Sequence, residues 1–223
     1  MNKEEKVKIP GYESRLRHNI IQVPEIARKC SGINVFGKKL KTFIFSTDIA
    51  IIRNCDADAV FAVYPFTPQV AISESIIKGA YTPVFCGVGG GTTQGQRTVA
   101  LAKDVEAQGA CGVVLNAPVT DLNIFAVAKA VDVPVVITVV SEDTDIKARL
   151  DAGASILNVA AAERTPGLVM KIRDKFPDVP IIATGGPTAE SIGKTVEAGA
   201  NAITYTPPSA KALFSELMDK YRS

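Results

Sequence analysis

The chain has 223 residues, 47% of them apolar, and a formal net charge of +2, which suits one domain with a sizeable core rather than two. Acidic and basic residues are interleaved, so no basic stripe tracks a phosphodiester backbone and nucleic acid is not expected as a partner. No apolar run reaches the ~20 residues that cross a bilayer, and the charged start from Lys3 to Lys8 has no apolar stretch behind it; the expectation is a cytoplasmic protein without membrane contact.

Residues 1–39 stand outside any repeat. Pro10-Gly11 reads as a loop, Glu13 to Cys30 as helix-like apart from Pro24, and Ile33 to Phe36 as a short strand. Lys3, Lys6, Lys8, Arg15 and Arg17, and again Lys38, Lys39 and Lys41, read as a solvated basic face. The single histidine, His18, falls in this extension, which removes the usual general base and metal ligand from the remainder of the chain.

From residue 40 onward, short β-branched runs alternate with helical patterns. The eight runs are Leu40–Ser46, Ala59–Tyr64, Pro83–Gly87, Gly112–Asn116, Pro134–Val140, Ser155–Val159, Pro180–Thr184 and Ala202–Tyr205. Most are apolar on both faces, as parallel strands must be between an inner core and an outer layer of helices. Gly79-Ala80, Gly109-Ala110, Gly153-Ala154 and Gly199-Ala200 each precede a run and suit helix ends that need a left-handed residue. Asp132-Val133-Pro134 and Asp178-Val179-Pro180 introduce the runs between, so the punctuation recurs about every 45 residues, a pair of βα units. An open doubly wound sheet would need a long connection at a switch point, and the even spacing offers none. The reading is a (β/α)8 TIM barrel over residues 40–223, with residues 1–39 an N-terminal extension capping the barrel bottom. Cys30, Cys55, Cys86 and Cys111 form no C-x-x-C and read as buried or half-buried free thiols.

In such a barrel the chemistry sits where strands end. Asp48, Thr67, Thr120, Asp143, Thr165 and Thr188 all stand where helix N-caps are expected. After the seventh run, Ala-Thr-Gly-Gly-Pro-Thr (183–188) pairs two glycines with a helix start and suggests an anion cradle from Thr184, Gly185 and Gly186. Ser209 could complete it after the eighth run, although Pro207 and Pro208 remove two amide donors. Gly87 to Thr92 has its glycines wrongly spaced for a dinucleotide fold and reads as a mobile loop over the mouth, with Thr92 and Asn116 as ligand contacts.

Several of these strings resemble the 2-keto-3-deoxy-6-phosphogluconate aldolase family. Phe61-Ala-Val-Tyr-Pro-Phe-Thr-Pro68 is similar to its second strand, Gly87 to Thr92 to its glycine loop and Val139-Val-Ser-Glu142 to its strand-five turn. Asn158-Val-Ala-Ala-Ala-Glu163 is similar to its strand-six motif and Thr184-Gly-Gly186 to its phosphate loop. The resemblance implies an aldolase-type barrel, but it places the Schiff-base lysine at Asn158, the acid/base glutamate at Ala62 and the carboxylate-binding arginine at Phe66. An amide cannot form an imine, so Schiff-base chemistry is lost.

The candidate catalytic residues are then Glu163, Asn158, Asp48 and Glu142, with Glu163 foremost because apolar neighbours at Val159 to Ala162 would favour its protonated form. A divalent metal on Asp48 or Glu142 stays open. The expected function is an enzyme, a lyase, isomerase or hydrolase, working on a small phosphorylated or carboxylated metabolite by acid/base chemistry. The alternative is a barrel that kept its pocket and lost its chemistry, a regulatory binder of the same small anion. Association of copies through the outer helices is a further open expectation.

Overall fold

The computed structural model describes residues 10–12, 14 and 20–222. His18 and the basic residues from Lys3 to Arg17 lie outside them, as do Glu13 and residues 15–19 of the expected first helix, whose described part from Ile20 to Cys30 is not α-helical. What is described of that region begins with the 3-10 turn η1 (Glu25–Lys29) and an antiparallel hairpin of β1 (Ile33–Val35) and β2 (Lys38–Leu40).

Eight parallel strands then close into one barrel: β3 (Thr42–Phe45), β4 (Ala59–Ala62), β5 (Val84–Gly89), β6 (Gly112–Leu115), β7 (Val135–Val139), β8 (Ile156–Val159), β9 (Ile181–Thr184) and β10 (Ala202–Tyr205). β10 pairs β3, so no edge is left. The helices are α1 (Ile49–Arg53), α2 (Val70–Gly79), α3 (Gln96–Ala107), α4 (Asp121–Ala128), α5 (Ile146–Asp151), α6 (Thr165–Lys175), α7 (Ala189–Glu197) and α8 (Ala210–Arg222). Each of the eight expected runs holds one barrel strand, but Leu40 belongs to the hairpin and the first barrel strand starts at Thr42. Gly109, Gly153 and Gly199 have φ of 100°, 107° and 98°, the left-handed helix ends expected of them. Gly79 does not share that conformation; it closes α2 as a helical residue, where a Cβ would come within 3.1 Å of Ile49.

Alternation along each strand sorts the core into two. Ile44, Val60, Cys86, Val113, Ile137, Leu157, Ile181 and Ile203 face the helices, while Phe43, Phe61, Phe85, Val114, Val136, Ile156 and Ile182 face the axis. A closed barrel staggers its strands, so residues at one height advance by one position per strand and alternate strands share a layer. The registers then stack Ala59, Gly112, Ile156 and Ala202 at the bottom, and Phe43, Phe85, Val136 and Ile182 above them. Phe43 packs edge-on against Phe85 at 5.2 Å and Phe61 at 6.0 Å, a geometry that ring quadrupoles favour. Gly112 is required here, because a Cβ would fall 2.3 Å from the Phe85 ring. Ile33, Val35 and Leu40 of the hairpin join this inner cluster, so the extension caps the barrel bottom as the sequence indicates.

Outside the barrel, η1 packs against α7, with Ile26 3.6 Å from the position of a Cβ on Gly193. The extension therefore also covers part of the helical ring. α8 buries none of its own side chains, and Phe214 and Tyr221 are exposed. At the bottom rim, the Arg173 guanidinium donates to the carbonyls of Pro177 (2.6 Å), Val179 (2.8 Å) and Gly199 (3.0 Å) and to Asn201 Oδ1 (2.7 Å). One side chain thus ties the C-terminal end of α6 to the entries of β9 and β10.

Two predictions follow from this packing. Arg173→Met should lower the unfolding free energy by about 2 kcal/mol in urea titration, because it strands several carbonyl groups at once; an unchanged midpoint would remove the clamp role. Burial pushes the Cys86 thiol up to about 12 and the Cys30 thiol up to about 11. Both therefore stay protonated at pH 8, and native-state iodoacetamide should leave them unlabelled while reacting with half-buried Cys111, read by peptide mass spectrometry.

Candidate functional site

Above the aromatic layers the barrel interior turns polar. The third layer, from the even-numbered strands, holds Phe61, Val114, Asn158 and Thr204; the fourth, from the odd-numbered ones, holds Phe45, Gly87, Thr138 and Thr184. Asn158 is 7% exposed and Thr204 6%, and Asn158 Oδ1 and Thr204 Oγ1 are buried without a hydrogen-bond partner. The amide of Asn158 donates only to Thr138 Oγ1, at 3.3 Å. Unmatched buried polar atoms cost on the order of 1–3 kcal/mol each, so this layer carries a cost that an apolar one would not.

The fourth layer is incomplete over that floor. Gly87 contributes no side chain, and a Cβ there would meet only Val63 and Ala62 at 3.4 Å or more, so packing does not demand a glycine. A cavity of about 220 Å³ opens at this level, lined by Val63, Tyr64, Phe66, Gly87, Thr92 and Asn116 among others. Thr92 and Asn116, expected to contact a ligand, are thus brought together at the mouth. The glycine loop carrying Thr92 is held by its own bonds, Gly90 N to Thr93 O at 2.8 Å, Gln94 Nε2 to Gly91 O at 2.8 Å and Thr98 Oγ1 to Thr93 O at 3.0 Å. Its backbone lies so close to Asn116 that a Cβ on Gly90 would sit 2.6 Å from Asn116 N.

The carboxylates expected at the site are differently placed. Asp48 caps α1, accepting from Ala50 N at 2.8 Å and Ile51 N at 3.3 Å. Glu142 pairs with Lys171 at 2.5 Å, and both line a surface groove between α5 and α6. Glu163 is exposed on the 3-10 turn η2 (Ala162–Arg164) that follows β8, without the apolar enclosure expected of it. That turn is strained, since Ala162 has φ of +52°, and Thr165 Oγ1 fixes it by accepting from Ala161 N at 2.9 Å. An alanine in the left-handed region costs roughly 1–2 kcal/mol, a penalty more often kept near functional sites. Of the six residues that stand at expected caps, Asp48, Thr120 and Thr188 serve so, while α5 is capped by Asp145 rather than Asp143 and α2 begins after Gln69 rather than Thr67.

The Thr184-Gly185-Gly186 segment has a packing account. A Cβ on Gly185 would come within 2.7 Å of Ile192 and 2.9 Å of Ile203, and one on Gly186 within 2.6 Å of Ser191 Oγ. The α7 N-terminus beyond it is closed by a reciprocal cap between Thr188 and Ser191, with Glu190 already in the first turn. Ser209 similarly caps α8, accepting from Ala212 N at 3.2 Å. Thr184 faces the mouth half-buried.

No group of three or more histidine, cysteine or acidic side chains that could hold a metal ion occurs among the described residues. Of the two carboxylates expected to hold one, Asp48 uses Oδ1 to cap α1 and Glu142 pairs with Lys171.

Thr138 and Gly87 carry signals the strand-end reading did not use. Thr138 is the one hydroxyl inside an otherwise apolar run, one residue before the end of β7, where alternation turns it to the axis. Ala62, where the aldolase resemblance would put an acid/base group, faces the helices instead; a glutamate there would point away from the mouth.

No protein-family model and no curated protein matches the chain. Solved structures do. A 2,3-dimethylmalate lyase described as a member of the PEP mutase/isocitrate lyase superfamily aligns with TM-score 0.62 and 15% identity over 80% of this chain and 79% of that one. A phosphonopyruvate hydrolase in complex with oxalate and Mg++ gives 0.60 and 14% over 82% and 81%. The dihydrodipicolinate synthase from Agrobacterium tumefaciens str. C58 gives 0.57 and 18% over 81% and 71%. At these identities the likeness establishes the fold, an aldolase-type TIM barrel.

If the third-layer polar atoms lack partners, Asn158→Leu and Thr204→Val should each raise the unfolding free energy by about 1 kcal/mol in urea titration. A loss of 1 kcal/mol or more in both would show that the folded chain already satisfies them.

Proposed function

We propose that this barrel is an enzyme acting on a small carboxylated metabolite at its C-terminal mouth, by acid/base rather than Schiff-base chemistry. The observation that carries the reading is the unmatched pair, Asn158 Oδ1 and Thr204 Oγ1, buried in the barrel layer beneath the mouth. A stability-only core would have filled those positions with apolar side chains. The similar structures include a lyase and a hydrolase, one of them holding oxalate, which makes a small carboxylate the natural guest by analogy. A phosphorylated metabolite is the weaker version of this proposal, because the glycines at Gly185 and Gly186 serve packing and the α7 N-terminus is closed by its own cap.

In this reading Asn158 orients the substrate, with Thr138 holding its amide, while Thr184, Asn116 and Thr92 line the approach. Glu163 is the proton carrier, because the loop after β8 is the one that starts from Asn158's own strand and carries a free-standing carboxylate on a strained turn. No lysine follows any barrel strand on the mouth side, so no imine forms. Asp48 and Glu142 act structurally.

A thermal-shift screen of small carboxylates and sugar phosphates, with and without magnesium, followed by NMR assay of hits for turnover, tests the proposal. Conversion is expected, with Glu163→Gln lowering kcat roughly 10²–10⁴-fold at similar KM, and borohydride treatment in the presence of pyruvate adding no mass. Stabilisation without conversion would favour the regulatory reading, and a trapped adduct would restore Schiff-base chemistry.

A further inference from the structure

Taking the mouth as the substrate site, as proposed above, we infer that the cavity between the ends of β4, β5 and β6 is a subsite for an uncharged apolar tail. The substrate is then a monocarboxylate with a short branched or aromatic side chain, not a dicarboxylate or a phosphate ester.

Three observations carry it. The first is the character of the walls. On the β4 side the cavity is bounded by Val63, Pro65, Phe66 and Pro68, and on the β5 and β6 side by Gly87, Thr92 and Asn116. Asn116 Nδ2 lies 3.9 Å from the position of a Cβ on Gly91, so the amide stands against the glycine loop. Among the described residues that line the cavity, none is aspartate, glutamate, lysine, arginine or histidine. A charged group moved from water into such surroundings loses hydration and gains no counter-charge, whereas an apolar group is stabilised there. One carboxylate can stay at the polar side, where the Thr92 hydroxyl and the Asn116 amide are able to donate. A second charge would lie against carbon.

The second is that the space is kept open where packing does not require it. Gly87 faces the axis from β5, its φ is outside the left-handed region, and a Cβ there would meet Val63 no closer than 3.4 Å. Backbone and neighbours therefore tolerate a side chain, and what the glycine preserves is the cavity. The walls are fixed in advance. The Tyr64 hydroxyl accepts from Gln69 N at 2.9 Å and closes the loop after β4, while Pro65 and Pro68 hold their φ. The glycine loop opposite is held by the bonds of Gly90, Gln94 and Thr98. A preformed cavity binds without first ordering its walls.

The third is size. The cavity volume is about 220 Å³. An apolar cavity of ~150 Å³ holds benzene, so a phenyl ring or a branched chain of about five carbons fits here.

Each methylene moved out of water strengthens binding roughly fourfold, so the tail is readable by titration. The isotope-labelled full chain is titrated with acetate, succinate, isovalerate, phenylacetate and benzyl alcohol while its backbone amides are followed by NMR. Isovalerate and phenylacetate should bind about tenfold or more tightly than acetate or succinate, with the shifts centred on the loops after β4 and β5. Benzyl alcohol, which carries no charge, should move the same amides. Phe66→Arg, at a residue 72% exposed, should turn the preference toward succinate. Gly87→Val should abolish the phenylacetate shifts in a protein whose circular dichroism is unchanged. Succinate binding as tightly as phenylacetate in the same two loops, or a preference that Phe66→Arg leaves intact, would overturn the apolar tail while leaving the mouth as a carboxylate site. Shifts elsewhere, no binding of any compound, or phenylacetate binding that survives Gly87→Val would overturn the subsite itself. Benzyl alcohol and phenylacetate bound in the two loops of a chain that converts no carboxylate would uphold the subsite and sink the enzymatic reading.

Discussion

Closure of the barrel forces the inward side chains of alternate strands to share layers, and everything above the bottom of this molecule depends on how the lower layers are filled. Phe43, Phe61 and Phe85 meet edge to face near the axis, and Gly112, Ala59 and Ala202 leave them room. Three rings in so small a cross-section fill the lower interior with carbon, and the hairpin residues Ile33, Val35 and Leu40 seal it from below. The polar atoms of the third layer consequently find no partner beneath them.

The mouth is divided. On β7 to β10 it presents Thr138, Asn158, Thr184 and Thr204; on β3 to β5 it presents Phe45, Val63 and Gly87. Polar groups on one side and apolar surface on the other orient a small molecule more firmly than a ring of uniform character, because one end of the ligand loses hydrogen bonds if it is turned around. The acidic residues around this ring have mostly structural partners: Asp48 and Asp145 hold helix starts, and Glu142 holds Lys171. Glu163 stands apart from them on a turn that the fold maintains against the preference of Ala162 for another conformation.

The aldolase resemblance is informative in where the residues depart from it. It follows from strings at strand ends, and strings of glycine, threonine and alanine recur in barrels because strand-to-helix turns have common needs. Parity decides chemistry, and parity separates Ala62, which faces the helices, from Phe61 and Val63, which face the axis. Gly185 makes the same point. Its position in a Thr-Gly-Gly string suggests an anion, and its surroundings, Ile192 and Ile203 within 3 Å of a notional Cβ, explain it by packing.

From the amino-acid order alone, the eight strands and their parallel arrangement could be read, because two-sided apolar runs and regular glycine and proline punctuation are local consequences of the βα unit; of the hairpin below only the strand at Ile33 was legible, and Leu40 read as part of the barrel. Asn158, Asn116 and Thr92 were legible as mouth residues for the same reason. The fates of Asp48, Glu142 and Ser209 were not, since a helix cap and a surface ion pair depend on which neighbour the folded chain supplies. Only closure of the barrel could put Asn158 and Thr204 in one layer, 46 positions apart along the chain by their numbers (204 − 158), over a floor of phenylalanine and under the gap at Gly87. Stagger and register are properties of the closed sheet, and no single strand contains them.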